Sequence, residues 1–389
     1  MVRACFRRGD KGAVIAQDAK KVTIVAHRIG PVGGMEQMLS RLIEGLLERG
    51  WEVTVVALRC ELPRHPRLRW ARVPGPSRPF LLMYPWFIVV GSLVTWRHRR
   101  GVLNTTGAVV LNRADVSTVH LCHHGIQAKT KVRRTSRPGV LYRLNAIGAA
   151  QLSRAAERWC YRSARTRRLV AVSRGVAEEL SQHLVAPPID VIPNGVDRET
   201  YEPNDAARAR TRQELGLDPE QLVALFVGGE WKGKGLGFLL EAIGAAPEWH
   251  LIVVGRGDIA RYRRGAEEVA SGRVSFLGEQ KDTAAYYQAA DAFVLPSAYE
   301  AFPISLLEAA SSGLPLLVTQ VNGADELVSD GHSGWFMERD AVMIADRLSQ
   351  LGSDREAMRA MGAAAREATR EMSWGKVVDA YADLYRELA

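Results

Sequence analysis

Cysteine is scarce in this chain, with four in 389 residues and none in a CxxC pair. Cys5, Cys60, Cys122 and Cys160 are widely spread, so the sequence offers neither a zinc-site spacing nor a disulfide framework. We therefore expect a reducing, cytoplasmic setting. Hydrophobic residues make up 47% of the chain and charged residues 24%, which excludes disordered and collagen-like proteins.

Long uncharged runs are also few. Residues 1–21 carry charges throughout and lack the apolar stretch of about 7–15 residues that a signal peptide needs, so we interpret residues 1–20 as a flexible extension. The uncharged stretch at residues 80–96 has 17 residues, the lower limit for a membrane span, and Pro85 interrupts it. We expect a buried or interfacial helix there rather than a transmembrane one.

Acidic residues are few in the first half of the chain. Residues 1–200 carry 33 Lys and Arg against 14 Asp and Glu, whereas residues 201–389 carry 19 against 29. This asymmetry indicates an anionic partner for the first half, such as a membrane surface, a nucleic acid or a phosphorylated substrate. No nucleic-acid module is recognisable, so we expect no nucleic-acid partner.

A basic stretch at residues 129–137 is either a solvated loop or a clamp for an anionic acceptor or lipid headgroups. With the apolar stretch at 80–96, it favours an anionic membrane surface as a partner. Its basic residues are Lys129, Lys131, Arg133, Arg134 and Arg137.

The first series of elements predicts a parallel sheet. An apolar run from Lys21 leads through a glycine turn into a helix with apolar residues three and four apart, and residues 51–58 form the next strand. Strand, helix and strand with short joins make a right-handed βαβ unit. Further strands are expected at 108–111, 116–121, 168–172 and 190–192, with a helix at 141–164.

A second βα series follows the turn at 193–195, with strands expected at 222–228, 249–255, 274–278, 292–296 and 314–319. The predicted fold class is α/β, with two Rossmann-like doubly wound domains that face each other across a cleft. The predicted parts are an N-terminal domain at 21–192, a linker at 193–203, a C-terminal domain at 204–370 and a final helical segment at 371–389. Ligands of open parallel sheets bind beyond the carboxyl ends of the strands, so the cleft is the expected site.

The strongest chemical signal is a pair of carboxylates, Glu300 and Glu308, directly after a buried strand. Pro303 suits the first turn of a helix and Gly313 suits its end, so Glu300 lies in the loop and Glu308 about one turn inside the helix. The start of that helix leaves backbone N–H groups free for a phosphate. Alone, such a pair is usually a solvated face. Beside an anion site, it fits recognition of sugar and ribose hydroxyls near a diphosphate.

Four segments together resemble the retaining GT-B glycosyltransferases of family four, the group 1 glycosyltransferases, over residues 21–388. Glu300 and Glu308 match the paired-glutamate motif of that family. The other segments are VIPNGVD at 191–197, FLGEQKDTAAYYQAADAFVLPS at 276–297 and GADELVSDGHSGWF at 323–336. The resemblance implies GT-B architecture, transfer of a sugar from a nucleoside diphosphate sugar to an acceptor hydroxyl with retention, and a final helix that returns to the first domain.

The resemblance also implies how the donor is bound. Glu308 would bind the ribose hydroxyls, Glu300 the transferred sugar, and backbone N–H groups after Glu300 the phosphate or sugar oxygens. Gly255 and Leu277 are candidates for approach to the nucleobase. The expected donor-binding residues are Gly33, Gly34, Gly229, Lys232, Lys234, Gly255, Leu277, Glu300, Ala301, Phe302, Pro303, Ile304 and Glu308.

Two lysines, Lys232 and Lys234, lie in a glycine-rich loop between a predicted strand and helix. A lysine there can neutralise the charge that grows on a leaving diphosphate, and Lys234 matches the lysine of the family. The usual arginine five residues earlier is replaced by Gly229. Lys232 could substitute for it, as in relatives that resemble lipopolysaccharide-core glucosyltransferases, or it only faces solvent.

The first domain contributes a glycine turn and a histidine loop. Gly33 and Gly34 allow the backbone to approach a phosphate closely, although such a turn is more often only a tight connection. In the family this loop touches the donor diphosphate or the acceptor. His120, His123 and His124 can indicate a metal, but no acidic or cysteine partners are evident nearby. The resemblance favours His120, or else His123, as the residue near the exocyclic hydroxyl of the sugar.

We expect His120, Lys234 and Glu300 to be the catalytic residues. The sequence has no Asp-x-Asp motif, so we expect no cofactor and metal-independent transfer, with Lys234 and helix N–H groups holding the diphosphate. The leading acceptor is a sugar or lipid-linked precursor of a cell-envelope glycolipid or polysaccharide, used in the cytoplasm or on the inner face of the membrane.

Two other functional classes remain open at this point. A sugar-nucleotide epimerase of the same architecture would consume the donor without an acceptor. A non-catalytic scaffold at a membrane surface would lack tight donor binding.

Overall fold

The structure is a computed structural model that describes residues 20–31, 33–129 and 140–389. The predicted extension before residue 20 and the basic residues Lys131, Arg133, Arg134 and Arg137 lie outside the described residues. Strands and helices alternate along most of the described chain. The strands are β1 (Lys21–Val25), β2 (Arg28–Ile29), β3 (Glu52–Ala57), β4 (Arg59–Cys60), β5 (Leu68–Arg72), β6 (Val102–Thr106), β7 (Ala114–Val119), β8 (Thr166–Ala171), β9 (Ile189–Val191), β10 (Leu222–Val227), β11 (Trp249–Val254), β12 (Val274–Gly278), β13 (Ala292–Leu295), β14 (Leu316–Val318) and β15 (Gly334–Phe336).

Helices connect the strands of both sheets and close the chain. The α-helices are α1 (Gly34–Glu48), α2 (Phe80–Trp86), α3 (Ser92–His98), α4 (His123–Lys129), α5 (Val140–Cys160), α6 (Arg174–His183), α7 (Asp205–Glu214), α8 (Leu236–Ala245), α9 (Ile259–Ala270), α10 (Ala284–Ala289), α11 (Ile304–Ser311), α12 (Ala341–Gly352), α13 (Arg355–Ala368) and α14 (Trp374–Leu388).

Two parallel sheets carry the fold. The first has the order β5-β3-β1-β6-β7-β8-β9 and the second the order β12-β11-β10-β13-β14-β15. In each sheet the strand order reverses beside the first strand of the series, at β1/β6 and at β10/β13. Buried apolar runs such as β10 suit sheets covered by helices on both faces. The predicted α/β class with two doubly wound sheets is confirmed.

The segment at 108–111 is not a strand, and that prediction is wrong. The strand lies earlier, at β6, and Gly107 turns the chain out of the sheet with a φ of 79°. Val109 and Val110 are buried in a cluster with Tyr84 and Phe87 instead. Their apolar character therefore reflects packing under a helix. The edge strands β5 and β15 were not predicted, because one is largely exposed and the other has three residues.

Residues Phe80–His98 form one apolar helix, which we call the apolar helix. A π-helical turn at Phe87–Gly91 joins α2 to α3, shortly after Pro85, which lacks an N–H donor. Within the described residues it is the one helix long and apolar enough to cross a membrane by length and composition, and 22% of its apolar window is buried.

The final helix α14 packs on α1 and completes the core beneath the first sheet. The Tyr385 hydroxyl accepts a hydrogen bond from Asn104 Nδ2 at 2.6 Å, and the hydroxyls of Tyr381 and Thr118 lie 3.3 Å apart. The end of the chain is thus part of the first sheet's core although it follows the second sheet in sequence.

Candidate active site

A cavity of about 530 Å³ lies between the carboxyl ends of the two sheets. Residues that follow β1, β7 and β8 reach it from the first sheet, and residues that follow β10, β12 and β13 reach it from the second. β10 and β13 flank the position where the order of the second sheet reverses, and β1 flanks the reversal in the first sheet; such positions are where open parallel sheets bind ligands. The predicted residues that line it are Gly33, Gly34, His120, Gly229, Lys234, Glu300, Ala301, Phe302, Pro303, Ile304 and Glu308.

Three predicted residues are not among the described residues that line this cavity. Lys232 is exposed, and its carbonyl accepts a hydrogen bond from Arg339. Gly255 has a φ of 127°, and a Cβ there would lie 2.1 Å from the Gly228 carbonyl oxygen, so glycine is required by packing. Leu277 packs against the second-domain core.

Lys234 and Glu300 form an ion pair at the centre of the cavity. Ser297 Oγ also donates to Glu300 Oε1, at 2.8 Å. Lys234 leaves the loop after β10 and Glu300 leaves the loop after β13, and the adjacency of these strands brings the side chains together. In the free protein each charge therefore already has a counter-ion.

Arg339 fixes the loop that carries Lys234. Its guanidinium donates to Pro296 O at 2.9 Å and to the carbonyls of Lys232 and Gly233 at 3.2 Å. One side chain thus joins the loop after β10 to the loop after β13. Arg339 could not be identified from the sequence, because nothing in its local pattern shows which distant carbonyls it contacts.

Glu308 is almost completely buried at the floor of the cavity, with 7% of its surface exposed. The Tyr287 hydroxyl donates to its Oε2 at 2.8 Å. Burial raises the pKa of Glu308 to about 7, and hydrogen bonds from Tyr287 and Tyr201 oppose that rise. The carboxyl therefore has a hydrogen-bonding partner, and its protonation state changes near neutral pH. Tyr201, which also lines the cavity, has no sequence pattern that could have identified it.

The first turn of α11 faces the cavity. Pro303 precedes the helix and no side chain caps it, so the N–H groups of Ile304 and Ser305 are open to an anion. A Cβ on Gly34 would lie 3.7 Å from the Ile304 side chain. The glycine turn of the first domain and the helix start of the second thus face each other closely.

His120 lines the cavity from the first domain. Its Nε2 is shielded from solvent and has no hydrogen-bond partner within the described part of the chain. Burial lowers the pKa of His120 to about 4, so the ring is neutral near pH 7. A neutral imidazole with an unsatisfied nitrogen suits a hydroxyl group of a ligand.

The neighbouring histidines have an acidic partner, contrary to the sequence analysis. Nδ1 of His123 lies 2.7 Å from one oxygen of Glu157, and Nδ1 of His124 lies 2.9 Å from the other. Cys122 joins His124 and Glu157 in a group whose candidate metal-ligand atoms all lie within 4.8 Å of one another. The two imidazoles already satisfy the buried carboxylate. Glu157 was missed because it lies 33 residues further along the chain.

The family models divide the chain between them. The model for glycosyltransferase family 4 matches residues 32–200, and the model for group 1 glycosyl transferases matches residues 207–368. The family 4 match therefore contains the first sheet except for β1, and the group 1 match contains the whole second sheet.

Several curated relatives are glycosyltransferases. A D-inositol 3-phosphate glycosyltransferase of Corynebacterium glutamicum (strain R) is 32% identical over 54% of each chain, so this match spans about half the length of the relative. The corresponding protein of Segniliparus rotundus is 30% identical over 75% of this chain and 66% of its own. An uncharacterized glycosyltransferase of Methanocaldococcus jannaschii is 26% identical over 94% of this chain and 98% of its own.

Solved structures share the fold at low identity. WaaG, a glycosyltransferase involved in lipopolysaccharide biosynthesis, superposes with a TM-score of 0.80 at 22% identity over 93% of this chain and 98% of its own. HepE of Anabaena in complex with UDP-glucose gives a TM-score of 0.69 at 19% identity over 93% of this chain and 98% of its own. The resemblance read from the sequence motifs is confirmed, and the chain belongs to the group 1 (family 4) glycosyltransferases of GT-B fold.

Proposed function

We propose that the protein transfers a sugar from a nucleoside diphosphate sugar to a hydroxyl group of an acceptor, with retention at the anomeric carbon. The observation that carries this proposal is the Lys234–Glu300 pair beside the uncapped start of α11, opposite the unsatisfied Nε2 of His120. A cation and free N–H groups suit a diphosphate, while a carboxylate and a neutral imidazole suit sugar hydroxyls.

Lys234 has the central role in departure of the diphosphate. When the bond between the anomeric carbon and the phosphate oxygen breaks, negative charge grows on that oxygen, and a fixed ammonium group with backbone N–H donors stabilises it. Lys234 would then exchange its contact with Glu300 for one with the phosphate. Glu300 would keep its hydrogen bond from Ser297 and accept from the sugar. We propose that these groups suffice for transfer without a divalent metal.

Glu308 is the proposed partner of the ribose. It lies one helical turn inside α11, behind the N–H groups assigned to the phosphate, and it lines the same cavity. As a carboxylate it can accept two hydroxyl hydrogen bonds, and the Tyr287 hydroxyl holds its orientation.

Retention follows if the acceptor attacks on the face from which the diphosphate leaves. The acceptor oxygen forms its bond to the anomeric carbon as the phosphate oxygen departs, and the acceptor proton passes to that phosphate oxygen. Glu300 need not form a covalent bond. Exclusion of water from the cavity would limit hydrolysis of the donor.

The acceptor we propose is phosphorylated or lipid-linked, such as an envelope glycan precursor. The first domain is strongly basic in sequence, which suits an anionic acceptor. The names of two relatives agree: one acts on D-inositol 3-phosphate, and an Escherichia coli relative, 27% identical over 59% of this chain, acts on a diphosphoundecaprenol-linked sugar.

An anionic membrane surface is the proposed docking partner of the apolar helix. Its exposed side chains recur every three or four residues, so they share one face. They are Leu82, Trp86, Val89, Leu93 and Trp96. Exposed arginines lie at its end and on the adjoining strand β5, at Arg97, Arg69 and Arg72, where anionic headgroups would meet them. Cys60, Cys122 and Cys160 are free thiols, which agrees with the cytoplasmic side.

A transfer assay tests the proposal. Purified protein would be incubated with labelled UDP-, GDP-, ADP- and TDP-sugars and membrane lipid extract, with and without chelator, and the product's anomeric configuration read by NMR. We expect acceptor-dependent transfer with retention that a chelator leaves unchanged. Isomerised nucleotide sugar formed without acceptor, or an inverted product, would contradict it.

A further inference from the structure

A buried carboxylate of the first domain lies where two loops of the cavity meet. Glu179, on α6, is 4% exposed. Its oxygens accept hydrogen bonds from the Tyr299 hydroxyl and from the Asn322 side chain, each at 2.9 Å. Both donors belong to the second domain, and Tyr299 directly precedes Glu300. The proposed chemistry uses none of these three residues.

Helix α4, which directly follows Cys122, rests on the same carboxylate. A Cβ on Gly125 would lie 2.4 Å from the carboxyl carbon of Glu179, so the backbone of this helix packs directly on it. The Cys122 backbone also lies beside the Tyr299 hydroxyl, where it opposes the burial that raises the pKa of Tyr299, and His120 lies two residues earlier. Tyr299 and Glu179 therefore join the loop after His120 to the loop that carries Glu300.

Two further contacts hold the loop after Glu300 against the first domain and the linker. Ser173 Oγ donates to Ala301 O at 2.7 Å, and Asn194 Nδ2 donates to Phe302 O at 3.0 Å. These carbonyls are consecutive and lie directly before α11. The segment that presents Glu300 and the start of α11 is thus held in place by side chains that the second sheet does not supply.

We propose that Glu179 is a positioning residue, which through Tyr299 and Asn322 sets the separation between His120 and Glu300 that sugar transfer requires. The inference rests on the proposed function and deepens it. A nucleoside diphosphate without its sugar would be held by Lys234, Glu308 and the start of α11, all in the second domain. Ser173 and Asn194 still hold the carbonyls before α11 when Glu179 is replaced, so Glu179 acts on turnover and not on nucleotide affinity.

Three single variants and one double variant test this role, with Glu178→Ala as the control, because Glu178 is the exposed neighbour on the same helix. For Glu179→Ala we expect kcat to fall at least 10-fold, and for Tyr299→Phe several-fold, while the Kd for the nucleoside diphosphate stays within twofold. Glu179→Gln, which can accept from Asn322 and donate to the Tyr299 oxygen, should retain most of the turnover. Adding Tyr299→Phe to Glu179→Ala should cause little further loss.

Hydrogen exchange of the loop at 297–303 provides a readout that needs no donor. We expect exchange at least 10-fold faster in Glu179→Ala than in the unaltered protein or in Glu178→Ala, because the loop loses its anchor. Unchanged exchange, or unchanged kcat in both Glu179→Ala and Tyr299→Phe, would overturn the inference. If the unaltered protein bound no nucleotide, the proposed function would fail, while the exchange result would still decide whether Glu179 anchors the loop.

Discussion

Lys234 and Glu300 neutralise each other in the free protein. This ion pair distinguishes Lys234 from Lys232, the other lysine of the same loop. Lys234 points into the cavity, whereas Lys232 is exposed outside it. We expect Lys234→Ala to lower kcat/KM about 100-fold, because one donor to a developing anion contributes about that much. Lys232→Ala should change it less than threefold. Steady-state kinetics on both variants checks this, and equal losses would contradict the assignment.

Gly229 occupies the position where the resemblance expects an arginine. A Cβ there would meet only the Arg256 carbonyl oxygen, at 3.6 Å, which is an ordinary contact. We therefore predict that Gly229→Arg folds and binds the nucleoside diphosphate about 10-fold more tightly, through a charge-assisted hydrogen bond. Gly229→Gln, which extends the side chain without the charge, is the control in calorimetry. No gain from arginine over glutamine would show that this position does not face the phosphates.

Glu308 makes the free energy of unfolding depend on pH. Because its pKa is about 7 in the folded protein against an ordinary 4.5, the folded state binds this proton more tightly than the unfolded state. The free energy of unfolding should therefore fall as pH rises from about 4.5 to about 7, by at most about 3 kcal/mol from this group.

Glu308→Gln should remove that contribution, since the amide cannot ionise. Denaturant unfolding of both proteins between pH 4.5 and 8 measures it, and the difference between the two curves isolates Glu308 from every other titration. Curves that run parallel over the whole range would refute the assigned protonation.

Among the elements, the apolar helix is the one on which the proposed docking to an anionic membrane surface depends. We expect the double variant Leu93→Gln, Trp96→Gln to bind vesicles containing phosphatidylglycerol at least fivefold less than the unaltered protein, because two exposed apolar anchors are lost. Val342→Gln is a matched control, since Val342 is 68% exposed in the second domain. Co-sedimentation gives the comparison, and equal binding by the double variant would exclude this face as the contact.

Local sequence patterns predict some elements of this fold correctly and others incorrectly, for physical reasons. Strands β10 and β13 are continuous apolar runs, and their positions in a doubly wound sheet determine that Lys234 and Glu300 meet. The segment at 108–111 is equally apolar but lies under the apolar helix, and periodicity cannot separate these cases. Glu179 and Tyr299 are 120 residues apart, so no local pattern indicates their contact.

At the scale of the whole molecule, the two sheets have separate tasks but share one structure. The linker follows the first sheet, the second sheet follows the linker, and α14 returns to the core of the first. The Val196 backbone N–H donates to Met372 O at 2.8 Å, where the two crossings of the chain meet. Asn194 and Tyr201 of the linker line the cavity, so the cavity lies beside the place where the chain passes between the sheets.

We propose that this cavity binds a nucleoside diphosphate sugar through second-domain groups. Calorimetry of the unaltered protein and of Glu308→Ala against UDP, GDP, ADP and TDP, with and without chelator, tests it most directly. We predict that one nucleotide binds the unaltered protein at one site, that chelator has no effect, and that Glu308→Ala weakens binding at least 10-fold. Binding of no nucleotide, or unchanged affinity in Glu308→Ala, would contradict it.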